Sequence, residues 1–244
     1  MSTRIESQPC FVLHRRDFRN TSLIVEVFSA EFGRVAMVAR GARRPKSRIN
    51  ALLQVFQPLL ISWTGRGELQ TLTHVEAAEF VTPIPSGFYA SAYYLTELVF
   101  RLLKPADVHE TLFTSYAKAL TTLRTADTSE QVAEINLRLF EKRLLQDLGY
   151  GLVLDHEVNT GETILADHDY YYVPEHGPVE CLTDSIPNGP KLSGRSLISL
   201  ANEKFPDKAC LRDCKRLMRT VLQGYIGDKP LQSRMLYNHR ATIK

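Results

Sequence analysis

The spacing of apolar residues changes once along this chain, and that change limits the folds available to it. Between residues 8 and 80, short apolar runs rich in β-branched and aromatic residues alternate with turn residues. After Pro83 and Pro85, apolar residues recur every three or four positions, as on a helix. Because the two periods belong to different secondary structures, the sequence predicts a β domain over residues 1–80 and a mainly helical domain over residues 81–244.

Five short strands are predicted in the first domain. They cover Phe11–Leu13, Ser22–Phe28, Val35–Ala39, Pro58–Trp63 and Glu68–Thr73. Five strands within about 70 residues are typical of a small barrel of the OB type. An SH3-like barrel would give a similar pattern, and either barrel followed by helices makes the fold class α+β.

The second domain is predicted to contain helices with an insertion at about residues 151–190. Apolar stripes predict two helices, and Thr128 with Gln131 resembles a capping box that opens a third, ending before Gly149. Ser193 and Asp207 are candidate N-caps of two later helices. The insertion between them is rich in glycine, proline and tyrosine, which favours a β-hairpin or a zinc-free knuckle.

Several classes of protein are excluded or disfavoured by composition. Hydrophobic residues make up 44% of the chain, which is enough for a packed core. No apolar run is long enough to cross a bilayer, and the first residues lack the apolar segment of a secretory signal. The four cysteines are too scattered for a disulfide framework. We therefore expect a cytoplasmic protein with reduced thiols.

The basic residues lie at the two ends of the chain. Residues 1–50 carry 10 Lys or Arg against 4 Asp or Glu, whereas residues 81–203 carry 9 against 17. Residues 204–244 again carry 10 against 3. Such asymmetry is often the mark of a polyanion partner, although solvated surface charge gives the same count.

Two basic segments are the main candidates for binding nucleic acid. One is the loop between the third and fourth strands, where residues 39–48 hold five cations and no acid. Glycine and proline predict an exposed loop there, and Arg15, Arg16 and Arg19 are expected in an earlier loop. The other is the helix that starts near Asp207, whose outer face is all basic. Trp63, Phe18 and Phe32 are possible stacking surfaces for bases, or else core residues of the barrel.

Metal and enzyme chemistry find little support in the sequence. Cys210 and Cys214 share a helix face with apolar residues, which favours core thiols over ligands. His156, His168, His176 and Cys181 match no closed zinc pattern. The common nucleotide-binding and hydrolase motifs are absent, and the pair Asp167 and Asp169 alone is weak evidence for magnesium. We expect neither catalysis nor a cofactor.

Short stretches spread along the chain resemble the RecO family of bacterial DNA repair proteins over essentially its whole length. They are Thr21–Leu23, Gly33–Val35, Ala39–Arg43, Phe56–Leu60, Gly65–Leu69, Leu137–Glu141, Leu148–Gly151 and Lys229–Arg234. Each stretch is weak alone, but their order and spacing together are specific. The resemblance implies an N-terminal OB domain and a C-terminal helical domain.

The resemblance further implies a nucleoid-associated recombination mediator without enzymatic activity. Such proteins bind single- and double-stranded DNA, anneal complementary strands and, with RecR and RecF, help to load RecA onto DNA covered by single-stranded-DNA-binding protein. They also bind the acidic C-terminal tail of that protein. Many members carry four zinc-binding cysteines in the insertion, of which this chain keeps only Cys181, so it resembles a zinc-free branch.

These arguments select the following candidate residues. For DNA they are Arg15, Arg19, Arg34, Arg40, Arg43, Arg44, Lys46, Arg48, Arg66, Arg212, Lys215, Arg216 and Arg219. For the partner tail they are Arg138 and Lys142, although Arg138 could instead pair with Glu134 or Glu141 on its own helix. Two other functions stay open: an OB-fold RNA-binding protein of translation, and a metal-dependent hydrolase using His156, His168 and Asp167.

Overall fold

The computed structural model describes residues 3–125, 128–181 and 188–236. The chain divides into two compact units, one formed by Met1–Ala126 with Leu231–Lys244 and the other by Asp127–Pro230. The sequence prediction divides the chain after residue 80. Two helices that it assigns to the second domain, residues 81–244, belong to unit 1 with the barrel. Residues 182–187 of the predicted insertion, and residues 237–244, lie outside the described residues.

A closed five-stranded barrel forms the first part of unit 1. Its strands are β1 (Thr3–Phe18), β2 (Ser22–Ser29), β3 (Gly33–Ala39), β4 (Pro58–Gly65) and β5 (Leu69–Ala77). Around the barrel their order is β1-β2-β3-β5-β4, with β3 and β5 parallel and the other pairs antiparallel. This arrangement confirms the predicted OB-type barrel and the α+β class.

The first strand is much longer than the predicted run Phe11–Leu13. Its first half pairs with β4 and its second half pairs with β2. Irregularities between Ile5 and Gln8 and between Val12 and His14 shift the register of these pairings. Arg15 and Arg16 consequently lie in β1 and not in a loop, which corrects the sequence prediction. Inside the barrel the side chains form a continuous apolar core, exemplified by Val25, Met37 and Ile61, all fully buried.

Within residues 3–125, three helices accompany the barrel in unit 1. They are α1 (Arg48–Leu52), α2 (Tyr89–Leu102) and α3 (Glu110–Arg124), with a 3₁₀ turn over Ser86–Phe88. The loop before β4 was expected to be free of helix, but Ser47 caps α1 by accepting from the backbone N–H of Asn50. A short helix forms because both proline and glycine precede the cap, where neither interrupts it.

The chain returns to unit 1 at Leu231, which is buried. The carboxylate of Glu97 on α2 accepts hydrogen bonds from the backbone N–H groups of Gln232 (2.8 Å) and Ser233 (2.9 Å). An apolar anchor and a charge-assisted cap therefore hold this segment on α2.

Unit 2 is built from α4 (Glu130–Asp147), α5 (Gly194–Ala201), α6 (Lys208–Ile226) and a small sheet of β6 (Asp169–Val173), β7 (Gly177–Glu180) and β8 (Lys191–Ser193). The sheet order is β7-β6-β8, so the predicted hairpin is present and gains a third strand. Gly149 ends α4 with φ +83°, as expected of a residue just past a helix.

Two of the three helix N-caps in unit 2 are those that the sequence predicts. Ser193 and Asp207 accept from the backbone N–H groups of Ser196 and Cys210, as predicted. The first helix of the unit, however, is capped by Ser129 and not by Thr128. The cap depends on a hydroxyl placed three residues before a free N–H, and two adjacent hydroxyl residues compete for that place.

Candidate nucleic-acid interface

Two basic segments meet at one end of the barrel. The β1–β2 turn lies between Phe18 and Ser22, and the last residue of β3, Ala39, pairs with Leu23 at the start of β2. The loop that follows β3 therefore begins beside the β1–β2 turn. We call residues 15–19 and 40–48 together the basic end, which holds eight Arg or Lys against one acid, Asp17.

Arg43 fastens the two segments together. Its guanidinium forms an ion pair with Asp17 at 2.9 Å and donates a hydrogen bond to the carbonyl of Arg19 at 3.1 Å. Its backbone N–H donates to the carbonyl of Thr21 at 2.9 Å. The buried side chain of Ala42 holds the same loop on the barrel. Arg43 therefore fixes the shape of the basic end, and it neutralises the single acid there.

Arg15 fastens α1 to the same end. Its guanidinium donates to the side-chain oxygen of Asn50 at 3.3 Å and to the carbonyl of Leu53 at 3.2 Å. Because Leu53 is the C-cap of α1, a cation at this position also favours the negative end of the short helix. Arg15 thus supports the loop that carries the other cations.

The remaining cations of the basic end point into solvent. They form no ion pair or hydrogen bond through their side chains with any residue that the structure describes, apart from the contact of Arg19 with the Phe18 ring. All are exposed: Arg16, Arg19, Arg40, Arg44, Lys46 and Arg48. An exposed charge without a carboxylate partner can bind a phosphate without first breaking an internal ion pair. Arg16 was named with Arg15 and Arg19 in the sequence but was not among the candidate DNA-binding residues, and the structure adds it to them.

Two predicted residues lie away from the basic end. Arg34, the second residue of β3, pairs with Glu26 at 3.6 Å and donates to the backbone carbonyl of Phe100 on α2, with its guanidinium 5.4 Å from the centre of that ring. It therefore joins the barrel to α2. Arg66 is exposed in the β4–β5 turn, near the start of β1, where Thr3 pairs with Gly65.

The outer face of α6 carries the second predicted surface, in unit 2. Lys215 pairs with Glu134 at 3.0 Å. Arg216 pairs with Asp213 at 3.0 Å and donates to the carbonyl of Lys191. Arg212 and Arg219 are exposed and have no ion pair within residues 128–181 and 188–236. They lie two helical turns apart, about 10 Å along the axis, so half of the predicted face is available to an anion without loss of an internal contact.

The predicted tail-binding residues are both engaged inside unit 2. Arg138 is 4% exposed and forms an ion pair with Glu141 at 2.8 Å, one of the alternatives left open by the sequence. Lys142 donates to the last carbonyls of α5, those of Leu200 and Ala201, and pairs with Glu203 at 3.3 Å. Neither geometry presents an uncommitted cation to a peptide carboxylate.

The predicted histidine and acidic residues do not assemble into a metal centre. His168 is hydrogen-bonded to Glu180, with Asp167 at 4.0 Å, whereas His156 contacts Asp155 at 2.8 Å. Within residues 3–125, 128–181 and 188–236, no three His, Cys, Asp or Glu side chains are placed to share an ion. Burial raises the pKa of the Cys214 thiol to about 12, which disfavours the thiolate that metals require.

No helix in the described part of the chain combines the length and the apolar composition that a membrane span requires.

Comparison with known proteins gives a consistent result over the whole chain. Residues 1–81 match the family model described as Recombination protein O N terminal, and residues 88–235 match the model described as Recombination protein O C terminal. The chain is 46% identical over 233 residues to a protein of Nitrosococcus oceani named DNA repair protein RecO, covering 96% of this chain and 93% of that one. Proteins of the same name from Dechloromonas aromatica (44% over 241 residues, 97% of each chain) and Pasteurella multocida (40% over 227 residues, 93% of this chain and 92% of that one) are also similar.

Proposed function

Because this chain belongs to the RecO family of DNA repair proteins, we propose that it is a recombination mediator. In this proposal it binds single- and double-stranded DNA and anneals complementary strands. With RecR and RecF it helps to load RecA onto DNA that single-stranded-DNA-binding protein covers. The observation that carries the proposal is the basic end of the barrel, which has eight Lys or Arg residues and one acid, Asp17, itself paired with Arg43.

Annealing requires no covalent chemistry. Two DNA strands repel each other through their phosphates, and a surface that neutralises both lowers that repulsion. The protein offers one such surface on each unit: the basic end in unit 1 and Arg212 with Arg219 in unit 2. Contacts to the phosphate backbone of DNA do not depend on the base sequence, and a repair protein has to bind DNA of any sequence.

The proposal also includes contact with the acidic tail of single-stranded-DNA-binding protein, at Lys142 in unit 2. Glu203 takes the place that a ligand carboxylate would occupy, since Lys142 and Arg143 hold its two oxygens at 3.3 Å each. A tail carboxylate would have to displace Glu203 in order to reach Lys142. Arg138 is buried in an ion pair with Glu141 on the same helix, so we expect it to support this site without contacting the tail.

The experiment measures the salt dependence of DNA binding. Arg44→Gln with Arg48→Gln removes two exposed cations of the basic end, so the slope of log K against log salt for a single-stranded oligonucleotide should flatten by about 1.4. The matched control is Lys104→Gln with Lys118→Gln, which removes two exposed cations from elsewhere in the same unit and should leave the slope unchanged.

An unchanged slope in a folded Arg44 and Arg48 variant, or equal flattening in both variants, would refute the basic end as the DNA surface. Annealing assays on DNA coated with single-stranded-DNA-binding protein then test the mediator function. An RNA oligonucleotide of the same sequence tests the alternative of an RNA-binding protein, which predicts tighter binding to RNA than to DNA.

A further inference from the structure

An aromatic ring lies in the middle of the basic end. Phe18 is the last residue of β1, and its side chain is half-buried, whereas Phe11 and Phe28 of the same barrel are 4% and 0% exposed. The other two candidate stacking residues lie elsewhere: Trp63 is buried and Phe32 packs edge-on against it, with ring centres 5.3 Å apart. Phe18 is therefore the candidate ring that the fold places among the exposed cations.

Arg19 holds a guanidinium over this ring, 5.1 Å from its centre. The residue has φ +51°, a left-handed conformation that is uncommon for arginine. The side chain of Arg43 donates a hydrogen bond to the carbonyl of Arg19, and the backbone N–H of Arg43 donates one to the carbonyl of Thr21. The unusual backbone conformation of the turn is thus fixed from the neighbouring loop, and with it the position of the cation on the ring.

Arg16 extends the site along the strand. Side chains two residues apart lie on the same face of a strand, so Arg16 and Phe18 share a face, about 7 Å apart. Arg16 is exposed and forms no ion pair among the described residues. A base that stacks at Phe18 would have its phosphates within reach of Arg16 on one side and of Arg19 on the other. Proteins that bind single strands without sequence preference combine cations for the phosphates with aromatic rings for the bases.

We infer that Phe18 and Arg19 form a stacking site for one unpaired base, which gives the basic end a preference for single-stranded over duplex DNA. This inference rests on the proposed function, since it assumes that the basic end binds DNA. In a duplex each base is already stacked between its neighbours, so only its phosphates remain available. The cations accept both forms of DNA, whereas the ring accepts only the unpaired one.

The test compares Phe18→Leu, which keeps apolar volume but removes the aromatic face, with Phe18→Tyr, which restores that face. Binding of a thymidine oligonucleotide and of a duplex is measured by fluorescence anisotropy at several salt concentrations. Phe18→Leu should weaken single-strand binding by about 5- to 100-fold, change duplex binding by less than about twofold, and leave the salt slope unchanged because no phosphate contact is lost. Phe18→Tyr should bind like the wild type. Phe88→Leu, at another half-buried phenylalanine of unit 1, is the matched control and should change neither affinity.

Three results would overturn the inference: unchanged single-strand affinity in Phe18→Leu, equal losses for single strand and duplex, or a Phe18→Tyr variant as weak as Phe18→Leu. If Phe18→Leu fails to fold, Phe18→Trp replaces it. Its added fluorescence should be quenched by the thymidine oligonucleotide and not by duplex, and equal quenching or none would reject the site. A wild-type protein that binds neither DNA would instead refute the proposed function, so the two failures are distinguishable.

Discussion

Replacing Arg138 with alanine should destabilise unit 2 far more than removing an exposed cation from the same helix. Arg138 and Glu141 are 4% and 0% exposed, and their charged atoms are 2.8 Å apart. At an effective dielectric constant of about 20, two unit charges at that separation attract each other by about 6 kcal/mol. The substitution leaves the Glu141 carboxylate buried without its guanidinium. After relaxation and water penetration, breaking such a pair costs about 3–5 kcal/mol.

Urea unfolding can measure this cost in each unit separately. Trp63 is the single tryptophan and lies in the barrel, so its fluorescence reports on unit 1, whereas far-UV circular dichroism also reports on the helices of unit 2. With an m value of about 2 kcal/mol per M, the dichroism midpoint of unit 2 should fall by about 1.5–2.5 M. The fluorescence midpoint should stay unchanged.

Two control variants make the reasoning refutable. Arg143→Ala removes a neighbouring cation whose side chain is 37% exposed and pairs with Glu203, and it should cost at most about 1 kcal/mol. Arg138→Met with Glu141→Leu removes both charges together and should restore most of the stability. A loss below about 1 kcal/mol in Arg138→Ala would show that the pair is not a buried one. Calorimetry of the tail peptide on the restored double variant should give wild-type affinity, and a lost affinity would return Arg138 to the tail site.

Two further outcomes are expected in unit 2. Changing Arg212 and Arg219 to glutamate should slow strand annealing while changing stability by less than about 0.5 kcal/mol per site, and normal annealing by that variant would exclude α6 as a DNA surface. The hydrogen bond from the backbone N–H of Cys210, together with nearby Arg195, lowers the pKa of the Asp207 carboxyl. The stability that the Asp207 cap contributes is therefore fully present above the ordinary pKa of about 4. It is lost as the pH falls through the lower pKa that Asp207 has in the folded protein. Asp207→Ala should therefore lower the thermal midpoint at pH 7, and the difference from the wild type should vanish in acid; Asp207→Asn, which caps at any pH, should retain the midpoint at pH 7.

Much of the fold could be predicted because its signals are local. Alternation of polar and apolar residues, turn glycines and capping side chains depend on neighbours a few positions away. The strands β2 to β5 and the caps Ser193 and Asp207 were found in this way. The length of β1 was missed because it depends on pairing with two strands distant in sequence, which no local pattern records.

The sequence by itself determined the kinds of residue at the candidate site, and the tertiary structure decided which of them are available. A cluster of arginines is visible in the sequence, but whether each guanidinium is neutralised depends on carboxylates and carbonyls brought to it by folding. Arg43 meets Asp17, Arg34 meets Glu26 and α2, and Arg138 meets Glu141 in the core. Arg16 and Arg44 resemble them in the sequence, yet remain in solvent because Asp17, the one acid of the basic end, is already paired with Arg43. An ion pair is a contact in space, and of these three pairs that of Arg138 with Glu141 alone lies within one helical turn along the chain, where the sequence could anticipate it.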